Sequence, residues 1–110
     1  GDMVGHTGSL LATRCYMEAL DLQLARILKV LDKVGGVALI TADHGNVEKM
    51  IDEEGRPQTA HTLNQTPFLI YDGGKAIPVK DGKLGDIMPT ILKYWGVDIP
   101  SQMSGNVLLG

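Results

Sequence analysis

Residues 37–46 read VALITADHGN. An apolar run of this length, with Gly35-Gly36 before it and a polar turn after it, reads as a short strand over Val37–Thr41 buried on both faces. Layered sheets of helices and strands hold their ligands beyond the carboxyl ends of the strands. Asp43 and His44 fall at that edge. Neighbouring residues of extended backbone point to opposite sides, so the pair can contact two different ions, with Gly45 leaving room for the chain to bend between them.

Outward from this strand, Ser9 to Val34 carries a helical pattern. Leu20, Leu24, Ile27, Leu28, Leu31 and Val34 recur at three- and four-residue spacing and mark one face for burial. Ser9 is placed to cap its start and Gly35-Gly36 to end it. Downstream, Asn46–Ile51 is read as a turn of helix and Asp52-Glu53-Glu54-Gly55 as a solvated loop tip. Pro67–Tyr71 (PFLIY) is a second strand closed by Asp72-Gly73-Gly74, Ile77–Val79 a third, and Asp81-Gly82 a turn. Asp86 is placed to cap a last helix over Ile87–Tyr94, with Pro89 in its first turn. The order helix, strand, strand, helix predicts an α/β layered sheet. The strands are too few for a complete doubly wound fold and the chain opens on GDMVGHTG with no leading element, so a piece of a larger domain is expected.

Composition narrows the function. At 110 residues the chain is at most one domain, and 44% apolar residues suffice for a core, which 5% aromatics leaves to Leu, Ile, Val, Ala and Met. A net charge of −3 without a Lys/Arg cluster argues against nucleic acid as a partner. A single cysteine, Cys15, excludes an intrachain disulfide and a cysteine zinc site, and its helical, partly apolar neighbours predict a buried thiol. No apolar stretch approaches the roughly 20 residues of a membrane span. With no signal peptide either, the sequon-like Asn64-Gln65-Thr66 carries no weight and a cytoplasmic location is expected.

All three histidines lie in suggestive settings: Asp2-x-x-x-His6 in a loop before the helix, Asp43-His44 at the strand edge, and His61 in a polar loop leading back to that edge. Each has an ordinary reading alone. Asp2 can be a terminal residue, Asp43 a turn cap, and a lone histidine a surface residue. Together they form a mixed oxygen–nitrogen set that suits Mn²⁺ or Zn²⁺ better than Ca²⁺. Two such ions suit phosphoryl transfer. Ser9, Ser101 and Ser104 have no adjacent base, and Gly5-x-x-Gly8 lacks the strand a phosphate loop needs.

DMVGHTG (2–8), TADHGNVEKM (41–50), AHTLNQTPFLIY (60–71) and LGDIMPTILKYWGVDIPSQMSG (84–105) together resemble the cofactor-independent phosphoglycerate mutases of the alkaline phosphatase superfamily. The resemblance implies a partial three-layer sheet of that superfamily, with residues 1–110 the C-terminal part of the phosphatase domain. It implies one Mn²⁺ or other divalent ion on Asp2, His6 and His61, and a second on Asp43 and His44. In that family an aspartate and a nucleophilic serine from an earlier segment complete the second ion's shell. The serine carries the phosphoryl group between 3-phosphoglycerate and 2-phosphoglycerate in glycolysis, without 2,3-bisphosphoglycerate. A separate transferase domain supplies most substrate-binding arginines. Neither that segment nor that domain is matched here, so the chain alone is expected to be inactive. The parent enzyme is expected to be a monomer in the cytoplasm, with no membrane or nucleic-acid partner, and the isolated chain to self-associate through open sheet edges. Rival readings are another metal-dependent phosphomutase or phosphatase of the superfamily, and a non-catalytic metal-binding module.

Overall fold

The structure is a computed structural model describing residues 1–110. A one-turn helix, α1 (Asp2–Gly5), leads into the long α2 (Leu10–Val34). Strand β1 (Val37–Thr41) follows, then a long irregular excursion, then β2 (Phe68–Asp72) and β3 (Lys75–Ile77). A 3₁₀ turn (Leu84–Asp86) opens α3 (Ile87–Tyr94), and the tail returns to the segment just after β3 through an isolated Val79–Leu109 bridge.

The α/β expectation holds, as a small sheet of order β1-β2-β3 that is antiparallel throughout. Val37 pairs with Asp72 and Thr41 with Phe68, so the carboxyl end of β1 lies beside the start of β2. Gly73 and Gly74, at φ 54° and 80°, form the two-residue hairpin turn that only glycine enters without strain. This tight turn starts β3 at Lys75, two residues before the predicted Ile77, while Asp81-Gly82 closes no hairpin. β1 is an edge strand and is not buried on both faces: Val37 to Ile40 are half-buried and Thr41 is exposed.

Local signals set the ends of α2. The Ser9 hydroxyl accepts from the Ala12 N–H at 3.3 Å, and Gly35 ends the helix in the left-handed conformation. Its apolar stripe, in contrast, is not buried. Ile27, Val30 and Val34 are 56%, 57% and 71% exposed, Leu24, Leu28 and Leu31 are half-buried, and Thr13 is the one buried residue of the helix. At about 1.5 Å per residue the 25 residues extend roughly 37 Å. Among the helices and strands, α2 packs mainly against α1 and β1. The Tyr71 hydroxyl ties it to β2 by donating to the Asp32 carboxylate at 2.8–2.9 Å. Cys15 shares this exposure, contrary to the expected buried thiol.

The apolar core is correspondingly thin: Met50, Ile70 and Leu108 are its buried hydrophobic residues. A radius of gyration of 16.6 Å exceeds the roughly 13 Å of a compact chain this long. The best-organised region is the C-terminal knot. Fully buried Thr90 donates to the Asp86 carbonyl at 2.6 Å and accepts from the Leu108 N–H at 2.9 Å. Asp86 does not cap α3 with its side chain. Its carboxylate accepts from the N–H groups of Asn106 (2.8 Å) and Lys83 (3.0 Å), and these, in that order, hold its pKa below the ordinary value. No helix is long and apolar enough to cross a membrane.

Candidate metal centre

Three separate segments meet beside the carboxyl end of β1. The first is α1. Asp2 and His6 stand one helical turn apart on a short helix, not on a folded-back loop, and their Oδ1 and Nε2 atoms lie 3.2 Å apart. The loop before β2 supplies His61, whose Nε2 is 3.0 Å from Asp2 Oδ1 and 3.1 Å from His6 Nε2. The segment after β1 supplies His44, stacked on His61 with ring centroids 3.7 Å apart and planes 19° from parallel. Its Nε2 is 3.8 Å from Asp2 Oδ1 and 3.7 Å from Asp43 Oδ1.

Asp43 and His44 therefore do not diverge. The chain bends at Ala42–His44 and both side chains turn to one side, with Asp43 the more exposed. All five predicted groups thus lie in one neighbourhood. The ligand atoms of Asp2, His6 and His61 fall within 4.8 Å of one another; Asp43 stands at the rim, in contact with His44 alone among them.

The hydrogen bonds behind the rings show what this cluster suits. A carbonyl oxygen can only accept, so His6 Nδ1 donates to Thr59 O at 2.5 Å and leaves its Nε2 lone pair facing the cluster. His44 is held the same way by Gly45 O at 3.3 Å. The inner nitrogens of His6 and His44 are then lone-pair acceptors, while His61 Nε2 donates to Asp2 Oδ1 at 3.0 Å, a set in which acceptors outnumber protons. A divalent cation satisfies such a set, and imidazole with carboxylate matches the Mn, Co and Zn class. For Asp2, desolvation raises the pKa, but the His61 hydrogen bond and the three imidazoles outweigh it, so the net direction is down.

Sequence reading missed the residues that frame this cluster. Asn46, 6% exposed, extends Nδ2 to Asp2 Oδ1 at 3.4 Å. It lies against Gly5, where a Cβ would come within 2.6 Å of Asn46 Cγ. Glu48 accepts from the Asn46 N–H at 2.6 Å, from the Thr62 hydroxyl, and from Asn64 Nδ2 at 3.0 Å. Asn64, though exposed, is thus a strut between the two loops. Of the expected helical turn at 46–51 there is a single hydrogen-bonded turn, closed by Lys49 N–H to Asn46 O. Asp52 organises the next loop by accepting from the Arg56 backbone and guanidinium, which lowers its pKa.

Beside the cluster opens a cavity of about 450 Å³, lined by His44, Asp43, Thr62, Asn64, Lys80 and Lys83 among others. Ser9, the nearest serine in sequence to a cluster residue, is engaged as a helix cap.

A family model described as the metalloenzyme superfamily matches residues 1–99. The 2,3-bisphosphoglycerate-independent phosphoglycerate mutase of Lawsonia intracellularis is 50% identical over 109 residues, covering 98% of this chain and 21% of that protein. The enzyme of the same description from Paracoccus denitrificans is 46% identical over 110 residues, covering 99% and 22%. Among solved structures, Leishmania mexicana phosphoglycerate mutase, crystallised at low cobalt concentration, superposes with a TM-score of 0.78 at 33% identity. That match covers 97% of this chain and 23% of the other. The chain thus spans about a fifth of the length of the curated relatives it matches.

Proposed function

Since the chain belongs to the metalloenzyme superfamily, we propose that it is the metal-binding part of a 2,3-bisphosphoglycerate-independent phosphoglycerate mutase, the C-terminal portion of that enzyme's phosphatase domain. The observation that carries this reading is the convergence of Asp2, His6 and His61 from α1 and a loop 55 residues on, with their ligand atoms within 4.8 Å. In this proposal they hold one divalent ion, Mn²⁺ by preference, and Asp43 with His44 contributes to a second. Bound ions of this kind neutralise phosphate oxygens and help ionise an oxygen nucleophile.

The chain's own part is to bind and orient. Thr59 O and Gly45 O fix the tautomers of His6 and His44, and Asn46 braces Asp2. The cavity beside His44 has Lys80 and Lys83 in its wall together with Asp43 and Asp81, and the two lysines offer contacts to an anionic substrate. The serine that accepts the phosphoryl group from 3-phosphoglycerate and returns it as 2-phosphoglycerate must come from elsewhere, since Ser9 is a cap and Ser101 and Ser104 belong to the exposed tail. The chain alone is therefore inactive. In this proposal the reaction is a step of glycolysis in the cytoplasm.

Two experiments test this. Calorimetric titration with Mn²⁺ is expected to show binding that His61→Ala abolishes and Asp43→Ala weakens; binding indifferent to both changes would remove the ligand assignment. Second, this chain replaces the matching segment of the Lawsonia intracellularis enzyme. The chimera is expected to interconvert the two phosphoglycerates and to lose that activity with His61→Ala. A folded, metal-loaded chimera that acts instead on pentose phosphates would favour the related phosphomutases.

A further inference from the structure

We propose that Glu48 is a positioning residue that clasps the His44 and His61 loops and sets the spacing of the three imidazoles. The inference rests on the metal-binding reading for its consequence, but its geometry is independent of any ion. Both carboxylate oxygens are used. Oε2 accepts from the Asn46 N–H at 2.6 Å, two residues beyond His44; Oε1 accepts from the Thr62 hydroxyl, one residue beyond His61, and from Asn64 Nδ2 at 3.0 Å. The same two loops are joined by Thr62 N–H to Gly45 O at 3.0 Å.

The clasp reaches the third segment through one residue. Asn46 gives its backbone N–H to Glu48 and its side-chain amide to Asp2 Oδ1. Gly45 makes the closeness possible, because a Cβ there would lie 3.1 Å from the Glu48 Cδ and closer still to its Oε1 and to Thr62 Oγ1. The glycine after His44 thus leaves space for the clasp, and its φ is not in the left-handed region.

Glu48 is exposed, and three features separate it from a metal ligand and from an unengaged surface charge. Its oxygens are occupied by neutral donors, it lies outside the group of candidate ligands, and the donors come from loops 14 and 16 residues away. The Thr62 hydroxyl above all, then the backbone N–H groups and Asn64, pushes its pKa down to about 2 against partial desolvation. An ionised carboxylate accepting several such bonds is a strong fixed strut.

The test uses the full chain with Glu48→Ala and Glu48→Gln, and Glu54→Ala as control. Glutamine keeps the size but offers one acceptor oxygen, so it satisfies one arm of the clasp and not the other. In the metal-free chain, the expected result is loss of the proton–proton Overhauser contacts between the His44 and His61 rings in Glu48→Ala. Glu48→Gln should weaken them, while amide resonances of β1–β3 stay in place. Mn²⁺ affinity is expected to fall about 10- to 100-fold in Glu48→Ala, as for other outer partners of ligands, and less in Glu48→Gln. Glu54→Ala should change neither. Ring contacts that survive in Glu48→Ala overturn the proposal, whether or not Mn²⁺ binds. A wild-type chain that binds no Mn²⁺ overturns the metal reading and leaves the ring contacts to decide on Glu48.

Discussion

Gly5→Ala tests the packing beneath the cluster, because two effects of opposite sign act at that position. Gly5 is buried in α1, and a Cβ there would meet Asn46 Cγ at 2.6 Å and Nδ2 at 3.1 Å, with Oδ1 closer still. Asn46 is nearly buried and cannot swing freely. Overpacking of this kind costs about 1–3 kcal/mol. Alanine in a helical turn gains about 0.5–1 kcal/mol over glycine. The net expectation is destabilisation by about 0–2.5 kcal/mol in the wild-type background. In an Asn46→Ala background the obstructing atoms are gone, and the same change should stabilise by about 0.5–1 kcal/mol. The helix gain is common to both backgrounds and cancels, so the coupling in the double-mutant cycle equals the overpacking cost, about 1–3 kcal/mol. Urea unfolding followed by far-ultraviolet circular dichroism reads this as a midpoint shift, of about 0.5–1 M per kcal/mol for slopes near 1–2 kcal/mol/M. The slope should stay constant. If Gly5→Ala moves the midpoint equally in both backgrounds, Asn46 does not occupy the space above α1 and the bracing of Asp2 falls with it.

Three further outcomes are expected. Ser9→Ala removes the cap on the Ala12 N–H and should cost about 1 kcal/mol, read from the same urea curves. Cys15 is exposed, so Ellman's reagent should label the native chain stoichiometrically without denaturant; a thiol protected until unfolding would contradict the placement of α2. Asp86, Asp52 and Glu48 all have pKa values below their ordinary ones. Their stabilising contribution is present above the unfolded values near 3.8 for Asp and 4.5 for Glu, and is lost as pH falls through the lower folded values. The urea midpoint should therefore decline below about pH 4.5, and Asp86→Asn should flatten the decline.

The parts legible in the sequence are those set by neighbours in the chain. Ser9 and Gly35 bound α2 through bonds spanning three or four residues, and VALIT and FLIY declare strands by composition. The candidate ligands were legible because aspartate and histidine advertise their chemistry at any distance. What stayed hidden depends on contacts between distant segments. Glu48 reads as an ordinary surface acid until Thr62 and Asn64 are brought to it. Asp86 reads as a helix cap until the tail at Asn106 competes for its carboxylate. The stripe on α2 shows which face can be covered, and nothing in an amphipathic pattern supplies the cover. The divergence expected of Asp43 and His44 failed for a related reason: alternation belongs to extended backbone, and the chain has already left it at Ala42.

The Gly45–Thr62 bridge has a consequence for how this segment tolerates change. Between the two bridged residues the chain runs out through a loop that closes on itself, with Asp52 holding Arg56 and the Met50 carbonyl accepting from the Gln58 N–H. The distance between His44 and His61 in space is therefore set at the neck of the excursion, by this bridge together with the Glu48 clasp, and not by the number of residues around it. Lengthening such a loop is cheap, about 0.6 kcal/mol per doubling. Residues 53–55, exposed at its tip, are where insertions or a grafted sequence can accumulate without moving a histidine.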